Sequence, residues 1–203
     1  MSPARHILPA LLALSLSGCI LHPQHRPPEY LDPVTAASVT SVAAPIVFAR
    51  AHQDVSANSR QYATVVGASV NRSGKYEYVL LVYMWSTIDP RLGADVHPGD
   101  TVILLADDRA IRMVRDGRSL RDVGIAKPLL RPLHTRGSPR IYRTDRDTLK
   151  FVSSAHRLRL QLEGDGDTRP FEVWADGRRE LGLLAAAATP DPGAAATARK
   201  TKR

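Results

Sequence analysis

Apolar and polar positions alternate along much of the chain with the period of two that marks β-strands. Tyr62–Val70 and Tyr76–Ile88 are two such runs, and the polar loop Asn71-Arg72-Ser73-Gly74-Lys75 between them reads as a hairpin connection. The second run is apolar on both faces: Tyr78, Leu80, Val82 and Met84 on one, Val79, Leu81, Tyr83 and Trp85 on the other. A strand of that kind belongs in the middle of a sheet, covered on both sides. Tyr83 and Trp85 therefore read as core or interface residues rather than as a sugar platform. Thr101–Ala106 and Ala110–Val114, flanking Asp107-Asp108-Arg109, form a second hairpin pattern. Leu158, Leu160 and Leu162 alternate with Arg157, Arg159 and Gln161, and the chain then turns through Gly164-Asp165-Gly166-Asp167 into Phe171–Ala175.

Helical spacing shows in two places. Leu149, Val152 and Ala155 share a face behind Thr144 as a cap, with Asp145 and Asp147 suited to the positive helix N-terminus. Asp176 can cap Arg178–Ala188, where Leu181, Leu184 and Ala188 line up. The pattern predicts a mainly β (α+β) domain, an antiparallel β-sandwich or barrel-like domain with one or two short helices.

The amino-terminal stretch reads differently. Arg5 precedes a short apolar run, Ile7–Leu16, too short for the roughly 20 residues a membrane span needs. Such a segment reads as a secretory signal peptide. It ends Leu16-Ser17-Gly18-Cys19, and with these residues the chain resembles bacterial lipoproteins. The resemblance implies that Leu16, Ser17 and Gly18 are recognised by the signal peptidase. It also implies that Cys19, the chain's one cysteine, becomes the lipid-modified mature N-terminus. In that family Asp after the cysteine favours the inner membrane. Ile20 stands there instead, which implies an outer-membrane anchor facing the periplasm. Each buried methylene contributes about 0.8 kcal/mol, so two or three acyl chains such as palmitate hold where one binds reversibly. The segment Arg60–Arg91 is also similar to stretches of uncharacterised proteobacterial envelope lipoproteins, a resemblance that carries no function with it.

The chain of 203 residues thereby divides into four parts. Residues 1–18 are the signal peptide and 19–33 a lipid-anchored, Pro-rich tether. At about 3.1 Å per residue that tether could hold the domain up to ~40 Å from the membrane. Residues 34–188 are the β-rich globular domain, and 189–203 a basic tail whose composition predicts disorder.

The formal net charge is +8, and it is concentrated. Residues 109–159 carry 14 basic and 4 acidic side chains, whereas residues 19–108 carry 6 and 9. Arg109, Arg112, Arg115, Arg118 and Arg121 recur every third residue in the basic part. On a strand that step alternates faces, and Asp116-Gly117 marks a turn, so the arginines are expected on opposite sides of a hairpin or loop. They are either a solvated rim or a surface for an anionic partner: phospholipid, lipopolysaccharide phosphate or peptidoglycan carboxylate. Nucleic acid is a poor partner for an exported protein whose basic segment offers only Tyr142 and Phe151 for stacking.

Catalytic patterns are missing from the sequence. The histidines form no HExxH, no GxSxG occurs, and Glu163–Asp167 departs from a calcium loop after its second aspartate. Asp107-Asp108 reads as a turn. The sequence therefore points to no metal and no cofactor. Two readings stand: a non-enzymatic envelope module binding a partner protein or an anionic polymer, and a periplasmic hydrolase with two carboxylates assembled by the fold about 5–10 Å apart.

Overall fold

A computed structural model describes residues 27–51, 59–87, 100–130, 139–164 and 169–187. The sequence expectations for Leu16, Ser17, Gly18, Cys19 and the basic tail, and those for Asp165–Asp167, lie outside the described residues.

The described chain forms ten strands and three short helices. The strands are β1 (Glu29–Leu31), β2 (Ser38–Ser41), β3 (Ile46–Ala51), β4 (Arg60–Arg72), β5 (Lys75–Ser86), β6 (Thr101–Ala106), β7 (Arg109–Asp116), β8 (Arg140–Thr144), β9 (Leu158–Leu162) and β10 (Phe171–Ala175). The helices are α1 (Leu120–Val123), α2 (Arg146–Ser154) and α3 (Arg178–Ala187). Of the two predicted architectures the barrel is the one formed. Eight strands close in the order β3-β4-β5-β8-β7-β6-β9-β10 and back to β3, every pair antiparallel. Closure leaves these eight strands without a free edge.

The predicted hairpins are present, with tighter turns than the composition implied. Ser73-Gly74 joins β4 to β5 with both residues at positive φ, 52° and 85°, and Asn71 Oδ1 accepts the Gly74 N–H at 2.8 Å. That is the backbone a two-residue hairpin needs to follow strand twist. In the second hairpin Asp107-Asp108 forms the turn, Asp107 at φ 50°, and Arg109 already belongs to β7.

Register explains the two-sided burial of β4 and β5. One face carries Val65, Gly67, Leu80 and Val82 and continues through Phe48, Leu104, Met113, Tyr142, Leu160 and Phe171; these line the barrel interior. Burial there pushes the Tyr142 phenol up to about 12. The other face, with Val66, Ala68, Val70, Val79 and Leu81, is buried too. Strand β2 pairs with the second half of β4, and the segment carrying Val123 and Ile125 packs over it. The long hairpin is thus doubly covered, as its sequence predicts.

Three expectations need correction. The folded body begins before residue 34. Strand β1 pairs with β2, and Asp32, 1% exposed, accepts backbone N–H groups from Val34 (2.9 Å), Thr35 (3.1 Å) and Ala126 (2.7 Å). Residues 29–33 thus belong to the fold rather than to a tether, because their backbone finds partners that Pro content alone could not reveal. The α2 cap is Asp145, whose carboxylate accepts from the Thr148 N–H at 2.7 Å, while Thr144 closes β8. There is also a third helix, α1. Its single turn rests on a capping box in which Ser119 and Asp122 satisfy each other's backbone N–H.

Helices α2 and α3 pack together. Arg146 Nε donates to the Ala185 carbonyl at 2.7 Å, and the methyls of Leu181 and Leu184 lie over Gly67 of β4. Gly177, not the expected Asp176, takes the cap position of α3, its carbonyl accepting from the Glu180 and Leu181 N–H, while Asp176 just before it accepts the Arg178 N–H at 3.0 Å. No described helix is long and apolar enough to cross a membrane.

Candidate ligand-binding groove

The arginine row does not assemble into one surface. Arg109 lies over the Phe151 ring, 5.1 Å from its centroid. Arg112 pairs with Glu163 at 2.6 Å, both well exposed. Arg115 pairs with Asp100 at 3.5 Å, a carboxylate it shares with Arg140 at 3.3 Å. Strand alternation puts Arg109 and Arg115 on one face of β7 and Arg112 on the other.

Arg118 is turned inward toward acids. Its guanidinium grips Asp116 through Nε at 2.9 Å and Nη2 at 2.6 Å, and it also pairs with Glu77. Arg143 adds a 2.8 Å bond to the same Asp116, whose carboxyl group is 7% exposed. Those guanidinium hydrogen bonds, Arg118 foremost, hold the Asp116 carboxyl far below the usual carboxylate range. Arg121 stands on α1, its carbonyl accepting from Arg72 at 3.3 Å. Asp107 is more than a turn former: its carboxylate accepts the Arg157 N–H at 2.8 Å and the His156 N–H at 3.2 Å, tying the α2–β9 connection to the hairpin. These backbone bonds, that from Arg157 first, lower its pKa.

A site that sequence reading missed lies where β3, β4 and β10 meet. A groove of about 280 Å³ is lined by Ala49, Arg50, Ala51, Arg60, Arg169, Pro170, Glu172, Val173 and Trp174. Its lining surface is mostly apolar, with Arg60 and Glu172 among the charged residues at its wall. Trp174 is 59% exposed, an unusual cost for so large an apolar ring. It is nevertheless well supported. Tyr62 meets it edge-on with ring centroids 6.0 Å apart, and Arg60 lies 5.0 Å from its centroid.

The support continues inward. Tyr62 and Trp85 are directly opposed on β4 and β5 and stack with centroids 3.9 Å apart at 7°. Trp85 Nε1 donates to Thr64 Oγ1 at 3.0 Å, so the indole is fixed at both its face and its edge. Aromatic pairs of this kind add about 0.5–1.5 kcal/mol beyond their buried area. Arg50, 6% exposed, stands on the opposite face of the sheet and turns into the barrel. It donates to Gln61 Oε1 at 2.6 Å and 3.2 Å and to the Arg169 carbonyl at 3.3 Å, and lies 4.3 Å from the Phe171 centroid.

The result is a braced aromatic wall beside a mostly apolar groove with Arg60 at its edge. Such a surface can stack a sugar ring on the indole and hold a carboxylate or phosphate beside it on Arg60. None of the five expected arginines lines this groove, and Trp85, expected as a core or interface residue, supports it from behind Tyr62. One signal was available: Glu172 and Trp174 share the outward parity of a strand whose Phe171 and Val173 turn inward. A large aromatic at an outward position is the mark of a contact surface.

The hydrolase reading requires two carboxylates facing one another; among the described lining residues Glu172 is the single one. No three described His, Cys, Asp or Glu side chains gather as metal ligands. Compared with family models, curated proteins and solved structures, the chain matches none.

Proposed function

We propose that this chain is a lipid-anchored protein of the periplasmic space, attached through Cys19 to the outer membrane. Its barrel acts as a non-enzymatic module that binds an anionic envelope glycan. The observation that carries the binding reading is the exposed Trp174 indole, braced by Tyr62 and Arg60 at the rim of the groove. The anchor reading rests on the lipobox residues Leu16, Ser17, Gly18 and Cys19.

Peptidoglycan suits the groove better than a bare phosphate does, because it offers apolar sugar faces and carboxylates close together. The indole takes the ring, and the Arg60 guanidinium beside it takes the charge. The attraction weakens with salt, since the partners meet at a solvated surface.

The test is co-sedimentation of the full chain with purified sacculi. Trp174→Ala and Arg60→Glu each weaken binding about tenfold, equivalent to ~1.4 kcal/mol. Pelleting of both variants at the parent level rejects the groove as the binding site. Competition by lipopolysaccharide but not by soluble glycan fragments would reassign the ligand to phosphate.

A further inference from the structure

A second surface lies at the other end of β4, far from the groove. Leu31 is 69% exposed and Val34 is 54% exposed, and they flank the buried Asp32. The registers Leu31↔Ser38 and Ser38↔Asn71 place this corner beside the β4–β5 turn, where Arg72 and Lys75 stand exposed. The Asp32–Ala126 bond, and a 2.7 Å bond from Thr35 Oγ1 to the Gly124 carbonyl, bring the α1 region to the same corner. That region contributes the exposed Arg121 and Lys127. Two exposed acids stand among them: Asp122 is engaged with the Ser119 hydroxyl and N–H at 2.7 Å and 3.0 Å, and Glu29 accepts from the Ser38 hydroxyl at 2.6 Å.

The geometry points to this corner as a bilayer-contact surface: Leu31 and Val34 enter the interface while Arg72, Lys75, Arg121 and Lys127 meet anionic phospholipid headgroups. Two observations commit it to a membrane rather than to a protein. Exposed apolar side chains with four cations and two hydrogen-bonded acids beside them match an interface with apolar tails beneath negative headgroups. The chain length adds the second. Cys19 is eight residues from Pro27, where the described fold begins, and eight residues reach at most about 29 Å. This second argument rests on the lipid-anchor reading above; the first does not.

The arrangement gives the molecule a polarity. Ten residues separate Tyr62 from Arg72 on β4, roughly 33 Å along the strand. With the Leu31 corner on the bilayer, the Trp174 groove faces away from it, toward the space where the cell wall lies.

The test uses lipidated full chain reconstituted in phosphatidylcholine vesicles containing about a third phosphatidylglycerol. An environment-sensitive fluorophore is placed at Val34→Cys or, for comparison, at Val114→Cys on the outer face of β7. A nitroxide-bearing phospholipid quenches the label at 34 and leaves that at 114 bright. In the Lys75→Glu, Arg121→Glu, Lys127→Glu variant the quenching at 34 is lost. Equal quenching at both positions, or quenching at 34 that survives charge reversal and pure phosphatidylcholine, overturns the proposal. The unlipidated Cys19→Ser chain, titrated with the same vesicles, reads the surface without the anchor. There, each basic residue replaced by a neutral one weakens binding about fivefold. The acyl mass on the Cys19 peptide of the parent chain separately reports the anchor, so the two failures are distinguishable.

Discussion

Replacing Arg118 by alanine isolates the energetic role of the Arg118–Asp116–Glu77 cluster. The substitution removes three guanidinium bonds to Asp116, at 3.1, 2.9 and 2.6 Å, together with both contacts to Glu77. What stays behind is a carboxylate only 7% exposed, still holding the Arg143 guanidinium at 2.8 Å and the residue-118 N–H at 3.1 Å. Breaking a fully buried pair costs about 3–5 kcal/mol. Here Arg118 and Glu77 are 29% and 34% exposed and Arg143 remains, so the cost falls to about 2–3 kcal/mol. For a domain of this size that is a drop of roughly 4–12 °C in Tm.

The assay is urea unfolding followed by the fluorescence of Trp85 and Trp174, repeated from pH 7 to pH 3. A carboxyl held below its unfolded value stabilises the fold above pH ~4, and that contribution is lost as pH falls toward the folded-state value. The parent therefore loses stability on acidification, and the Arg118→Ala variant, having lost much of the pKa depression, shows a flatter acid limb. Arg112→Ala is the control, because its partner Glu163 is exposed. It changes stability by less than about 0.5 kcal/mol. If Arg118→Ala matches Arg112→Ala, the cluster is only a surface ion pair and the reasoning fails.

Other outcomes follow from separate features. Mass spectrometry of the mature protein finds Cys19 at the N-terminus carrying fatty acids; an intact Met1 start removes the envelope assignment. Gly177→Ala destabilises by about 1–3 kcal/mol, because its Cβ would stand 2.5 Å from the backbone of Pro45, which cannot step aside as a side-chain tip can; an unchanged urea midpoint contradicts this packing. Asp32→Ala frees the Val34, Thr35 and Ala126 N–H groups, which three backbone bonds now hold together with a lowered Asp32 pKa. Hydrogen exchange at Ala126 then quickens, and protection at the parent level would show that the carboxylate is not the link.

Much of the β-structure was legible because strand periodicity is local. The doubly apolar run Tyr76–Ile88 announces a strand covered on both faces, and β5 is one. The alternation through Leu158, Leu160 and Leu162 announces a half-buried strand, and β9 points all three inward. Strands β1, β2, β3 and β8 were not legible. They are short, and their pairing depends on partners distant in sequence, such as Leu81 for Ile141. The groove stayed hidden for the same reason, since Arg50, Arg60, Arg169 and Trp174 come from three separate stretches.

Sequence by itself determined what depends on neighbours along the chain: the hairpins, the two longer helices and the β-rich class. Tertiary structure alone decided closure into a barrel, the burial of Asp32 and Asp116 among fixed donors, and which cations face solvent. A period of three in Arg109–Arg121 states a spacing but no direction. Direction is set when strand β7 takes its register against β6 and β8, which leaves Arg112 in water and brings Asp116 to Arg118, while the registers of β3 against β10 and β4 let an indole from β10 meet a guanidinium from β4.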